Sequence, residues 1–149
     1  MSFLPAPCLA FSLGVWLTLA TLPALADVGQ IKVARGQVAV ERGGQALAAQ
    51  VGMLLEVADV IRTGADGSVG VTMKDNSLLS VGPNSSLALE RFEFDPTTSQ
   101  GRFDARLQRG TLAVVSGRIA KQSDKAMTVR TPSAVLGVRG TEFAVTVAE

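Results

Sequence analysis

The stretch from residue 68 to residue 77 contains both signals that decide the fold, an alternating strand pattern and a turn. It reads Ser68-Val69-Gly70-Val71-Thr72-Met73-Lys74-Asp75-Asn76-Ser77. Val69, Val71 and Met73 recur at every second position, which places them on one face of a strand. The polar residues 74–77 have the composition of a tight turn. The stretch therefore predicts a half-buried strand that ends in a chain reversal.

The same alternation recurs on both sides of this stretch. Its apolar members are Ile31 and Val33, Val38 and Val40, Leu87 and Leu89, Leu112 and Val114, Met127 and Val129, and Phe143 with Val145 and Val147. Val57, Val60 and Ile61 flank Asp59. Turn-forming residues separate these runs, notably at 65–68 and 82–85. No stretch has helical periodicity over three turns. Short strands with frequent turns predict an all-β domain.

Two segments depart from simple alternation. The apolar phase of Leu87 and Leu89 resumes at Phe92 and Phe94 rather than at residues 91 and 93. A slip of one residue exchanges the two faces of a strand, so the pattern predicts a bulge near residues 90–91, or else a strand that is buried on both faces. Residues 47–55 are ambiguous, and Gly52 argues against a long helix there.

The first 26 residues resemble an export signal. Residues 9–22 form an apolar run that Pro23 ends, and Ala24-Leu25-Ala26 offers the small residues that a signal peptidase requires. The run is shorter than the roughly 20 residues of a membrane-spanning helix. We therefore expect a signal peptide at 1–26 and one domain at 27–149. Because no Lys or Arg precedes the run, an uncleaved anchor is the alternative.

The composition limits the chemistry that the domain can perform. The chain has no His and no Tyr, and its single Cys and single Trp, Cys8 and Trp16, lie in the expected signal. The expected domain therefore lacks the residues that usually bind zinc, copper and haem. Catalysis by His or by a nucleophilic Cys is also excluded there. We expect no catalytic residue, metal or cofactor. A net charge of +1 gives no reason to expect binding to nucleic acid or anionic lipid.

Several motifs, taken together in their order and spacing, resemble the FecR domain. They are Asp59 to Ser68, Lys74 to Ser77, Gly82 to Ser85, Leu107 to Gly110, Val129 to Val135 and Val138 to Phe143. The similarity extends from about Ile31 to Val147. It implies short strands that coil into a β-roll or solenoid-like domain, with a β-sandwich as the alternative. It also implies a domain outside the cytoplasm that takes part in envelope signalling rather than catalysis.

Within the first motif, Asp59, Arg62 and Thr63 could form a binding edge. The favoured interpretation is structural, with Asp59 accepting backbone hydrogen bonds where a strand begins. Gly64 and Gly67 belong to the following turn. Gly67 is interpreted as a turn former rather than part of a phosphate-binding loop, because no Lys or helix start follows at the required spacing.

The last motif is Arg139-Gly140-Thr141-Glu142-Phe143. Gly140 could let Arg139 and Glu142 turn toward each other, so we expect a partly buried ion pair that fixes the last strand. Ligand binding by the same two residues is the alternative. Phe143 opens an alternating apolar run and is expected to contribute to the core.

These observations predict a non-catalytic, periplasmic or secreted domain that acts through contacts. The first hypothesis is a protein-interaction module for a partner in the cell envelope, which could pair with an open sheet edge. The alternative is a cell-wall or glycan-binding module, although sugar sites commonly use Trp and Tyr. Contact with a membrane is expected only if the signal remains uncleaved.

Overall fold

The computed structural model describes residues 26–140 and 142–148, and all regular structure in this part of the chain is β. The strands are β1 (Asp27–Arg35), β2 (Val38–Arg42), β3 (Gln45–Ala48), β4 (Leu54–Glu56), β5 (Val60–Thr63), β6 (Ser68–Met73), β7 (Leu78–Val81), β8 (Ser86–Phe94), β9 (Gly101–Val115), β10 (Met127–Arg130), β11 (Val135–Val138) and β12 (Glu142–Val147). The expected signal, apart from Ala26, lies outside the described residues, and so does Thr141.

The strands form one coiled sheet with two halves. Sheet A has the order β4-β1-β6-β7-β9-β12, and sheet B has the order β3-β2-β5-β8-β9-β10-β11. The pairing is antiparallel throughout except between β9 and β10, which run parallel. The prediction of an all-β fold with a coiled sheet is confirmed.

β9 belongs to both halves and makes the coil possible. Its first part pairs with β8 and β10 in sheet B, and residues 110–115 pair with β12 in sheet A. The corner is Gly110, whose φ is +89°. A Cβ at this position would lie 2.0 Å from the Ser85 hydroxyl oxygen, so only glycine satisfies both the backbone angle and the close approach.

The core lies between the two halves. Sheet A contributes buried side chains such as Ile31, Val71 and Leu112, and sheet B contributes others such as Ile61 and Phe103. Together they form one apolar cluster. Phe143, Val145 and Val147 of β12 pack against this cluster but are only partly buried. The alternation therefore predicted the inward face of β12 correctly, while β12 itself lies at the margin of the core.

Two register shifts explain where the alternation holds and where it fails. In β8, Leu89 lies opposite Ala105 and Arg91 opposite Asp104, so the predicted bulge near residues 90–91 is confirmed. In β1, a second shift between Ile31 and Val33 leaves Val33 43% exposed. The expectation that Val33 shares the inward face of Ile31 was wrong, because the irregularity turns the strand over after Ile31.

The ambiguous segment 47–55 contains parts of two edge strands. β3 ends at Ala48 and β4 begins at Leu54, and Gly52 between them has a φ of +93°. Ala46 and Ala48 are exposed, so the segment offers no alternation by which it could be recognised as strand.

Candidate functional site

Asp59 lies at the centre of a buried corner between β4 and β5. Only 1% of Asp59 is exposed. Its carboxylate accepts two hydrogen bonds from the Arg42 guanidinium, at 2.9 Å from Nε and 2.7 Å from Nη2, and one from the Glu56 backbone N–H at 2.9 Å. Arg42 also bonds the Leu54 carbonyl oxygen at 3.0 Å. We call Arg42, Glu56 and Asp59 the Asp59 corner.

The Asp59 corner joins separate strands rather than offering a site to a ligand. The hydrogen bond with Asp59 raises the pKa of Arg42 above its ordinary value, against the opposing effect of burial. The Glu56 carboxylate adds an ion pair with Arg42 at 3.2 Å. The Asp59 carboxylate and the Arg42 guanidinium are thus both engaged within the protein. The sequence predicted the backbone bond of Asp59 but not Arg42, which lies 17 positions away.

The other residues of the first motif separate into one exposed and several packed side chains. Arg62 is exposed and pairs with Glu41 of the neighbouring strand at 2.7 Å. Thr63 is buried, and its hydroxyl donates to the Gly82 carbonyl oxygen at 2.6 Å while accepting from the Ser85 N–H at 2.9 Å. The structure therefore does not bring Asp59, Arg62 and Thr63 together as one binding edge.

Gly64 and Gly67 form the two ends of the turn between β5 and β6. The Gly67 N–H donates to the Gly64 carbonyl oxygen at 3.0 Å. A Cβ on Gly67 would lie 2.2 Å from the Gln37 carbonyl oxygen, and one on Gly64 would lie 2.7 Å from the Gln37 side chain. Close packing against the Gln37 backbone, rather than a positive φ, thus requires glycine at position 67.

The last motif differs from its prediction. Arg139 and Glu142 are both exposed, and no ion pair joins them in the part of the chain that the structure describes. The expected buried pair is therefore wrong. Gly140, with a φ of +58°, turns the chain from β11 in sheet B to β12 in sheet A, so the flanking side chains follow strands that diverge. Phe143 packs at the margin of the core.

Two further buried carboxylates were not predicted, and both are bonded internally. Asp75 accepts hydrogen bonds from the Ser77 N–H at 3.0 Å and the Ile119 N–H at 3.3 Å, which fixes the segment after β9. Burial alone would raise the pKa of Asp104, but hydrogen bonds from Thr128 and Arg102 outweigh it and lower that pKa below the ordinary value.

A groove runs between the β10–β11 turn and the end of β12. It consists of two adjoining depressions of about 520 and 510 Å³ that share Gln108, Thr131 and Pro132. We call its whole lining the edge groove, which comprises Arg106, Gln108, residues 130–136 and residues 145–148. One end carries Arg106 and Arg130, and no acidic residue is among its lining residues.

The turn that forms one wall of the edge groove is held by its own hydrogen bonds. The Thr131 N–H donates to the Ala134 carbonyl oxygen at 2.8 Å, and the Ala134 N–H donates to the Thr131 hydroxyl at 3.0 Å. Pro132 adds a fixed φ within this turn. The sequence indicated a bend at residues 131–133, but nothing in the local pattern showed that it faces β12 across a groove.

Residues 59–149, well over half of the chain, match the family model described as FecR protein. The chain belongs to the FecR family. The match begins at Asp59 and includes both the Asp59 corner's carboxylate and every residue of the edge groove. No curated protein and no solved structure gives a significant match.

FecR proteins are envelope-associated and take part in signalling through protein interactions, and FecR is not a known enzyme family. Within the described residues of this FecR chain, no helix is long and apolar enough to cross a membrane. The FecR motifs thus differ in their surroundings. Asp59 lies in a buried corner, whereas residues 130–135 line an open groove.

Proposed function

We propose that residues 27–149 form an exported, non-catalytic FecR domain that binds a protein partner in the cell envelope through the edge groove. The observation that carries this proposal is the groove itself. It combines a strand with one unpaired edge, a hydrogen-bonded turn and two arginines in one place, whereas Asp59 is engaged in internal contacts. Membership of a family that signals through protein interactions supports it.

The distribution of acidic groups supports a non-catalytic function. The buried carboxylates of Asp59, Asp75 and Asp104 each accept hydrogen bonds from the protein's own donors. A general acid or base must instead reach a substrate proton. With no His in the chain, the usual alternative for this chemistry is missing too.

Photo-crosslinking in living cells tests the binding function. A photoreactive side chain replaces Ser133 or Thr146 in the edge groove, and the matched control carries it at Ala65, which is exposed in the β5–β6 turn. We expect one discrete adduct of higher mass from both groove positions and none from Ala65. Equal labelling from all three positions, or no adduct, would contradict the proposal. Sedimentation of the protein with purified peptidoglycan, without a protein adduct, would favour the cell-wall alternative.

The export part of the proposal has its own test. β1 begins at Asp27, immediately after the predicted cleavage position, so removal of residues 1–26 leaves every described strand intact. Intact-mass measurement of protein from the envelope fraction should give a chain that starts at Asp27. Full-length protein in the membrane pellet would instead support the uncleaved anchor.

A further inference from the structure

We infer that the edge groove receives an extended segment of a partner protein, which adds to β12 as a further strand and places an acidic side chain beside Arg106 and Arg130. This inference rests on the proposed function and specifies how the partner binds. It is an instance of strand addition, in which backbone hydrogen bonds provide affinity and side-chain contacts provide specificity.

The first argument concerns the edge of β12. This strand pairs with β9 alone, so its other side has no strand neighbour among the described residues. Three consecutive residues of this strand, 145–147, and the following Ala148 line the groove. Successive side chains of a strand point to opposite faces, so consecutive strand residues line one groove where it follows the strand's edge. The groove therefore gives a ligand access to the unpaired backbone groups of β12.

The second argument concerns charge. Arg106 and Arg130 lie directly opposite each other on the parallel strands β9 and β10. Like charges at opposed positions are unfavourable. Glu90 pairs with Arg106 at 2.8 Å. Arg130 interacts electrostatically with the Asp104 carboxylate, but no carboxylate lies within ion-pair distance of Arg130 in the part of the chain that the structure describes. An acidic side chain of a ligand would compensate this cationic end of the groove.

The third argument concerns the alternative edges. β4 is only three residues long, and Arg42 already bonds its Leu54 carbonyl oxygen. β3 is four residues long and contributes no residue to the edge groove. β11, the other edge strand of sheet B, is also four residues long, so β12 with six residues is the longest of these four edges. Its own Val145 and the adjacent Leu136 offer half-buried apolar surface. Short edges are one way in which proteins avoid pairing with other chains, and β12 lacks that protection.

The charge pattern also favours a different protein over a second copy of this chain. In an antiparallel pairing of two β12 strands, the copy's Glu142 would lie near Val147, which is opposite Gly110, whereas Arg106 lies further along β9. Because Gly140 turns the chain just before β12, the copy would not continue as a strand to the arginine end and would bring no acidic side chain to Arg106 and Arg130. The occupant that fits is therefore an extended segment with an acidic residue.

A peptide selection tests the inference without knowledge of the natural partner. A display library of random peptides of about ten residues, enough for one strand, is selected on protein purified after expression of the full chain. We expect enrichment of peptides that combine alternating apolar residues with an acidic residue. Selection on Arg130→Gln should lose the acidic preference, whereas selection on Arg62→Gln should keep it, since Arg62 is an exposed cation paired with Glu41 outside the groove. Enrichment without acidic residues, or none, would overturn the inference.

Methylation of the best peptide's backbone nitrogens separates strand addition from other modes of binding. Methylating one alternating set of amides should weaken binding by at least about tenfold, while methylating the other set should have little effect, because only one set faces β12. Equal effects of the two sets would overturn strand addition. A stable dimer in sedimentation experiments, dissociated by the peptide, would show that a second copy occupies the groove. Groove-specific crosslinks would then still support the proposed function.

Discussion

The Asp59 corner and the C-terminal edge strand carry similar charged motifs and place them in opposite environments. At the Asp59 corner, Arg42 closes over a carboxylate that is 99% buried in a chain reversal where a backbone N–H needs an acceptor. At the start of β12, Arg139 and Glu142 remain exposed. The difference shows that opposite charges near a turn are buried only where backbone groups and several strands converge on them.

The largest expected contrast is between two phenylalanines. Phe103 is fully buried in β9, and its ring makes an edge contact with Phe92 at a centroid distance of 5.5 Å. Phe103→Ala should lower the free energy of unfolding by about 4 kcal/mol, the typical cost of emptying such a site. Phe143→Ala, at the core margin, should cost about half as much. Urea denaturation followed by circular dichroism measures both, and equal losses would mean that β12 is packed as tightly as β9.

The second contrast compares the charged residues of the two regions directly. Asp59→Ala leaves Arg42 and the Glu56 N–H without their acceptor, and breaking a buried pair costs about 3–5 kcal/mol. Because about a third of the Arg42 side chain is exposed, we expect the lower end, about 3 kcal/mol. Glu142→Ala is the matched control and should cost under about 0.5 kcal/mol. Similar losses for the two variants would contradict the distinction between the regions.

A smaller effect is expected at a second buried carboxylate, Asp104 of β9, and it should depend on pH. The pKa of Asp104 is lowered in the folded protein, so its contribution to stability is present above the ordinary pKa of about 4 and is lost as the pH falls through the lower folded value. Asp104→Asn should reduce stability at pH 7 by about 1–2 kcal/mol and by less at pH 3. Urea midpoints across this pH range provide the measurement. A loss that is independent of pH would assign the effect to packing instead.

The smallest expected effect is the interaction between Arg139 and Glu142. Because both are exposed and no ion pair joins them, Arg139→Ala and Glu142→Ala should each change stability by under about 0.5 kcal/mol. In a double-mutant cycle, the stability change of the double mutant should equal the sum of the two single changes to within about 0.5 kcal/mol. A stability change of the double mutant that is clearly smaller than this sum would show that Arg139 and Glu142 interact after all.

The alternation of apolar residues correctly predicted those structural features that depend on residues close together in the chain. Val69, Val71 and Met73 are buried in β6 as expected, and the phase slip after Leu89 correctly located the bulge in β8. β3 and β4 were missed because β3 carries exposed alanines and β4 has only three residues, so neither has an alternating apolar pattern. The irregularity that exposes Val33 could not be seen in the sequence, because Ile31 and Val33 keep the alternating spacing.

Contacts between distant residues could not be predicted from one sequence. Arg42 and Asp59 meet only because β2 pairs with β5, and the edge groove exists only because β12 pairs with β9 beside the β10–β11 turn. Arg139 and Glu142 show the converse error, since closeness along the chain suggested a contact that the topology prevents. In each of these cases, the pairing between strands, rather than the composition, determines which side chains come into contact.

The participation of β9 in both sheets has a mechanical consequence. A ligand paired with β12 would pull on β9 through a ladder of hydrogen bonds perpendicular to the strands, so a load along the strand stretches them together in shear rather than unzipping them singly. Beyond Gly110 the load continues through the covalent backbone into sheet B. Tension would therefore cross the domain without passing through a flexible linker.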